Sequence, residues 1–115
     1  MITVFGISNC DTIKKAISWL EANKIPYEFH NYKTEGISKA KLNDWSKKVG
    51  WKTLLNNKSA TFRQLLKAGL EQPSDKISVI KLLQENTSII KRPIFQKGGM
   101  LIVGFNIPEL EKLIT

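Results

Sequence analysis

Ile2-Thr3-Val4-Phe5-Gly6-Ile7-Ser8-Asn9-Cys10-Asp11-Thr12-Ile13-Lys14-Lys15-Ala16-Ile17 carries two hydrophobic rhythms in succession. Residues 2–6 alternate apolar with polar, contain Val and Phe, and end on Gly6, which is the pattern of a strand. Past Ser8-Asn9-Cys10-Asp11 the spacing changes. Ile13, Ala16, Ile17 and Leu20 fall at i, i+3, i+4 and i+7, the apolar stripe of a helix over about 11–23. Asn9, Asp11 and Thr12 all offer capping chemistry at its start. Asn23-Lys24 ends it. Tyr27-Glu28-Phe29-His30-Asn31-Tyr32 then alternates aromatic with polar and predicts a second strand. Strand, helix, strand within 32 residues favours a parallel pair joined by a crossover.

Further along, Ser38 precedes Leu42, Trp45 and Val49 at helical spacing, and Gly50 supplies a stop, so a helix is expected over about 39–49. Trp51–Asn57 reads as turn-like. A short helix is expected from Thr61 to the stop at Gly69. Another is expected over about 75–86, capped by Ser74, with Ile77, Ile80, Leu83 and Val79 inward. Ile94-Phe95-Gln96, the hairpin signal Gly98-Gly99 and Met100–Phe105 predict two antiparallel strands. Ile107, Leu110, Leu113 and Ile114 close the chain as a helix that starts near Asn106-Ile107-Pro108. The order predicts an α/β, thioredoxin-like fold in one domain, 1–115. A helical block is inserted between the N-terminal strand–helix–strand and the C-terminal hairpin and helix.

Composition narrows the function classes. The 115 residues are 42% hydrophobic and 24% charged, ordinary values for a folded globular domain. One cysteine cannot form an internal disulfide, so a secreted disulfide scaffold is not expected. No apolar run approaches a membrane span, and the N-terminus lacks the marks of a signal peptide, so a cytoplasmic location is the expectation, and a monomer is expected. The net charge is +8, from sixteen lysines and only two arginines, Arg63 and Arg92. Base-reading proteins lean on arginine for its bidentate fork, so nucleic acid is not the expected partner. The scattered lysines read as a solvated surface that attracts anionic small molecules or acidic partners. No His/Cys/Asp spacing suggests a metal site. His30 reads as a structural strand histidine, and Trp19, Trp45 and Trp51 as core.

Cys10 is placed where a strand gives way to a helix. Helix N-termini direct unpaired N–H groups outward and favour negative charge, so a thiolate there is stabilised. Lys14 and Lys15 lie one turn on and add positive charge, while Asp11 opposes it. A second reading stands beside this one: Cys10 continues the stripe of Ile13 and Ile17, as a small buried hydrophobe would. Lys91-Arg92-Pro93 is the other unusual feature, a proline between two apolar runs, where it removes a ladder donor and suits a cis peptide bond. Arg92 is open to two roles, a surface charge or the guanidinium that holds a thiolate, carboxylate or oxyanion.

Gly6-Ile7-Ser8-Asn9-Cys10-Asp11-Thr12-Ile13-Lys14-Lys15-Ala16, Trp19-Leu20, Gly50-Trp51, Leu54-Leu55-Asn56, Ile90-Lys91-Arg92-Pro93-Ile94 and Gly104-Phe105 together resemble the arsenate reductase-like (ArsC) family, and most of all its Spx/YffB branch of thioredoxin-like proteins. The resemblance runs over essentially the whole chain. It implies a nucleophilic Cys10, with Arg92 beside a cis Pro93 as the stabiliser of an anion or thiolate. It implies glutathione as co-substrate rather than a bound cofactor, with Asn9, Asp11, Thr12, Lys14, Asn56, Arg63 and Pro93 around the substrate. The family's arsenate reductases use further arginines. Asn56 stands at one such position, and Leu101-Ile102-Val103-Gly104 has none, so weak or absent arsenate reduction is expected. Spx-type regulators often carry a second cysteine three residues after the first. Ile13 stands there, so no redox switch forms within this chain. The resemblance to Spx also implies an alternative, a non-catalytic module that docks on a protein partner.

Overall fold

The computed structural model describes residues 1–114. They form two compact units. One is made of residues 1–35 and the chain from Arg92 on; the other is Gly36–Lys91.

The first unit is built on a four-stranded sheet in the order β2-β1-β3-β4. Its strands are β1 (Ile2–Gly6), β2 (Tyr27–Asn31), β3 (Ile94–Lys97) and β4 (Met100–Val103). β1 and β2 are parallel, with Val4 opposite Phe29 and Gly6 opposite Asn31. β3 runs antiparallel to β1, with Phe5 opposite Ile94, and β4 antiparallel to β3. Helix α1 (Asp11–Ala22) connects the parallel pair. Its stripe of Ile13, Ala16 and Leu20 packs with Ile2, Val4 and Phe95, and with Leu110 and Leu113 of the C-terminal segment, in one buried cluster. This is the core that the periodicities of the first and last segments predict.

Three details differ from expectation here. The second strand stops at Asn31, because Tyr32 begins the single helical turn α2 (Tyr32–Glu35). Asn31 closes that turn, its side-chain oxygen accepting from Lys33 N–H at 3.0 Å and its own N–H donating to Glu35 at 3.1 Å. The last strand stops at Val103 rather than Phe105, because Gly104 takes φ +94°, outside the extended region. The C-terminal helix, here α7 (Ile107–Glu111), is capped by Asn106 and turns Leu110 inward, while Ile107 and Ile114 stay exposed.

Gly6 ends β1 for a steric reason. A Cβ there would overlap the Ile13 side chain and come within 3.8 Å of Arg92 Cβ. Ile13 is 1% exposed, so its side chain would have to shift within a close-packed core. Gly6→Ala is expected to destabilise the protein by roughly 1–3 kcal/mol, as overpacking does. Thermal unfolding checks it, and a melting temperature equal to the parent's would show that Ile13 yields without cost.

The second unit is helical. Its elements are α3 (Lys39–Val49), α4 (Trp51–Leu54), α5 (Ala60–Lys67) and α6 (Lys76–Glu85), followed by a 3-10 turn over Thr87–Ile89. Ser38 caps α3 through Lys41 N–H, and Ser59 caps α5 through Phe62 N–H. The turn-like 51–57 segment contains one helical turn, α4. The cap of α6 is Asp75, not Ser74; its carboxylate accepts from Ser78 N–H at 2.7 Å. Val79, Ile80 and Leu83 are buried, while Ile77, expected inside, is 83% exposed. Trp45 is fully buried, whereas Trp19 and Trp51 are half-buried. Among the described residues no helix is long and apolar enough to cross a membrane.

Candidate active site around Cys10

The sheet topology gathers the site. Parallel β1 and β2 end together, and antiparallel β3 begins at that same end. The segment after β1 (Ile7–Cys10), the turn after β2 (Tyr32) and the segment before β3 (Arg92-Pro93) are therefore neighbours, although they are far apart in sequence. A bond of 3.5 Å from the Asn31 side-chain amide to Ser8 Oγ ties the first two. The Arg92–Pro93 peptide bond is cis. Pro93 donates nothing to the ladder, but its carbonyl accepts from Gly104 N–H at 2.8 Å, so the strand pair continues past it.

Cys10 is the N-cap residue of α1, in extended conformation, and its carbonyl accepts from Lys14 N–H at 3.0 Å. Its thiol is partly exposed. It makes no capping hydrogen bond in the strict sense, yet the amides that begin the helix lie close enough to serve a thiolate. Partial burial alone pushes the Cys10 thiol up. The Ile13 amide, a hydrogen bond from the Arg92 guanidinium, the Thr12 amide and the Arg92 charge outweigh it, and the thiol ionises below its ordinary value. Cys10 therefore touches the core cluster without lying wholly inside it, so both sequence readings describe part of its position.

The structure brings together Cys10, Thr12, Arg92 and Pro93. Asn9, Asp11 and Lys14 surround the same loop with exposed side chains. Asn56 and Arg63 belong to the second unit. Asn56 is a turn residue whose N–H donates to the Ile89 carbonyl at 2.8 Å and whose side chain accepts from Lys58 N–H. Arg63 is exposed on α5. Among the described residues no cluster of His, Cys, Asp or Glu could hold a metal ion. His30 sits in an aromatic group, with its ring 4.9 Å from Phe5 and 6.0 Å from Tyr32, and its Nδ1 lies 4.0 Å from Glu35.

Tyr32 is the residue that sequence reasoning missed. It is 2% exposed, and its hydroxyl has no hydrogen-bond partner. Burial pushes its ionisation far up, and the nearby Arg92 charge opposes this only in part, so it stays a neutral phenol. The signal was its phase, since it follows His30 by two residues at the sheet end that carries Cys10. A buried, unpaired hydroxyl costs about 1–3 kcal/mol. Tyr32→Phe, which keeps the ring, should leave stability unchanged or raise it. A clear loss in denaturant midpoint would show that the hydroxyl bonds a partner in solution.

The comparisons with known proteins fit this geometry. Residues 5–113 match the model of the ArsC family. An uncharacterised protein of Haemophilus influenzae is 39% identical over 111 residues, covering 96% of each chain. The solved structure of the protein YFFB is 37% identical, covers all of both chains and superposes with a TM-score of 0.88. A global transcriptional regulator Spx, from Streptococcus pneumoniae, is 26% identical over 117 residues, covering 99% of this chain and 86% of the regulator.

Proposed function

Because the chain belongs to the ArsC family, we propose that it is a thiol-dependent reductase whose nucleophile is Cys10 and whose co-substrate is glutathione. The observation that carries this reading is the arrangement at one sheet end: a partly exposed thiol at a helix start, faced by two amides and by Arg92, which together favour its thiolate.

The reaction follows from the sulfur count. The Cys10 thiolate attacks one sulfur of a disulfide substrate. A Cys10–substrate disulfide forms and the other sulfur leaves as a thiolate. No second cysteine stands in the chain to attack that bond. A free thiol from outside, glutathione, attacks instead; it becomes part of a new disulfide and Cys10 returns as a thiolate. Arg92 stabilises the thiolate at the start and at the end of the cycle. Glutathione carries two carboxylates, which suit a lysine-rich chain of net charge +8. Arsenate is expected to be a poor substrate, since Arg92 is the one family arginine matched in this sequence.

Two measurements test the proposal. Mass spectrometry after incubation with oxidised glutathione should show one glutathionyl group on Cys10, removed by excess reduced thiol. The alkylation rate of Cys10 should rise with pH along a curve centred below the ordinary thiol value, because the thiolate is the reacting form. A curve centred at or above that value, with no adduct, would make Cys10 a packing residue. The likeness to Spx favours a second reading, a docking module without turnover. Absence of any glutathione-dependent disulfide reduction, with the fold intact, would select it.

A further inference from the structure

Ile77 lies in the first turn of α6 and is 83% exposed. A lone exposed isoleucine is unremarkable on most surfaces. This one stands on the wall of a groove of about 380 Å³ between α3 and α6, lined by Lys39, Ala40, Asn43, Ile77, Ile80 and Lys81. Ile80, 8% exposed, lies deeper than Ile77. The lining is thus an apolar pair and an alanine, with an exposed lysine from each helix and no carboxylate. Asp75, close by in sequence, has its carboxylate engaged by Ser78 N–H. Isoleucine is not chosen there for helix propensity, since lysine, glutamate or alanine would serve an exposed site better.

We infer that the α3–α6 groove is a docking site for an acidic amphipathic helix of a protein partner. The partner's apolar stripe would cover Ile77 and Ile80, and its flanking Asp and Glu side chains would meet Lys39 and Lys81. A helix laid in a groove presents anchors at i, i+3, i+4 and i+7 and reads the rim by charge. Charge also argues against a second copy of this chain as the occupant, because each copy carries a net +8.

The test uses the full chain and two fluorescein-labelled synthetic helical peptides. Both carry leucine at i, i+3, i+4 and i+7; one has glutamate on the flanks and the other lysine. Fluorescence anisotropy should show saturable binding of the glutamate peptide, weakened by added salt, and none of the lysine peptide. Ile77→Asp should weaken the glutamate peptide by about tenfold or more, from the apolar cover lost. Its exposure means the variant should fold, which an unchanged melting temperature checks. Lys81→Glu should weaken the glutamate peptide and make the lysine peptide bind. Equal binding of the two peptides, no saturable binding, or parent-like affinity in Ile77→Asp would each overturn the inference. So would adsorption to anionic phospholipid vesicles in the absence of peptide binding.

Discussion

Cys10→Ser is expected to lose disulfide reduction by on the order of a thousandfold or more, to the background of the assay. A serine hydroxyl stays protonated near neutrality, and the amides of Ile13 and Thr12 with Arg92 cannot make it a comparable nucleophile. The fold should persist, because the side chain is partly exposed and serine is close in size. The pH dependence of stability gives a second readout. The Cys10 pKa is lowered on folding, so its thiolate adds stability that is fully present above the unfolded-state value. That stability disappears as pH falls through the folded-state value. Cys10→Ser should lack this component of the profile. Full glutathione-dependent turnover in Cys10→Ser would place the chemistry elsewhere.

Arg92→Lys is expected to cost roughly ten- to a hundredfold in kcat/KM, the worth of a charge-assisted hydrogen bond, while the fold is retained. Lysine keeps the positive charge and loses the planar fork that can bond a sulfur and a carboxylate or oxyanion at once. Arg92 lowers the Cys10 pKa both through a hydrogen bond and through its charge. The alkylation midpoint should accordingly move up in Arg92→Lys, and further in Arg92→Ala. Parent-like activity in Arg92→Lys would reduce the arginine to a point charge.

Much of the fold was legible because its signals are local. Strand β1 and helix α1 announce themselves through a change of period at Cys10, and Ser38 and Gly50 bracket α3 at both ends. The misreadings arise where two adjacent residues offer the same chemistry. Ser74 and Asp75 can both cap a helix, and the choice of Asp75 shifts the start of α6 by one residue. Ile77 fails for a different reason: at about 100° per residue, Val79 and Leu83 lie to one side of Ile80 around the helix and Ile77 to the other, so the buried face excludes it. At Tyr32 the alternation of β2 runs on in the sequence, but the Asn31 side chain turns the backbone first. The site was legible only in part. Cys10 is marked by its position at a helix start. Arg92 lies 82 residues further along, and only the pairing of β3 with β1 brings it there. Tyr32 carries no local mark beyond the phase it shares with His30; its burial is a tertiary fact.

The convergence of three distant segments on one sulfur has a practical consequence for anyone following the protein in denaturant. In most proteins a cysteine reacts faster as the chain comes apart, because it gains access to reagent. Here the groups that ionise Cys10 exist together only while the sheet end is assembled. Unfolding withdraws them, and the ionisation of the sulfur returns to its ordinary value, so the loss of thiolate opposes the gain of access. With one sulfur in the chain, every label reports on that end of the sheet. The protein thus carries an intrinsic reporter whose signal reads the ionising surroundings of the sulfur as well as its access to reagent.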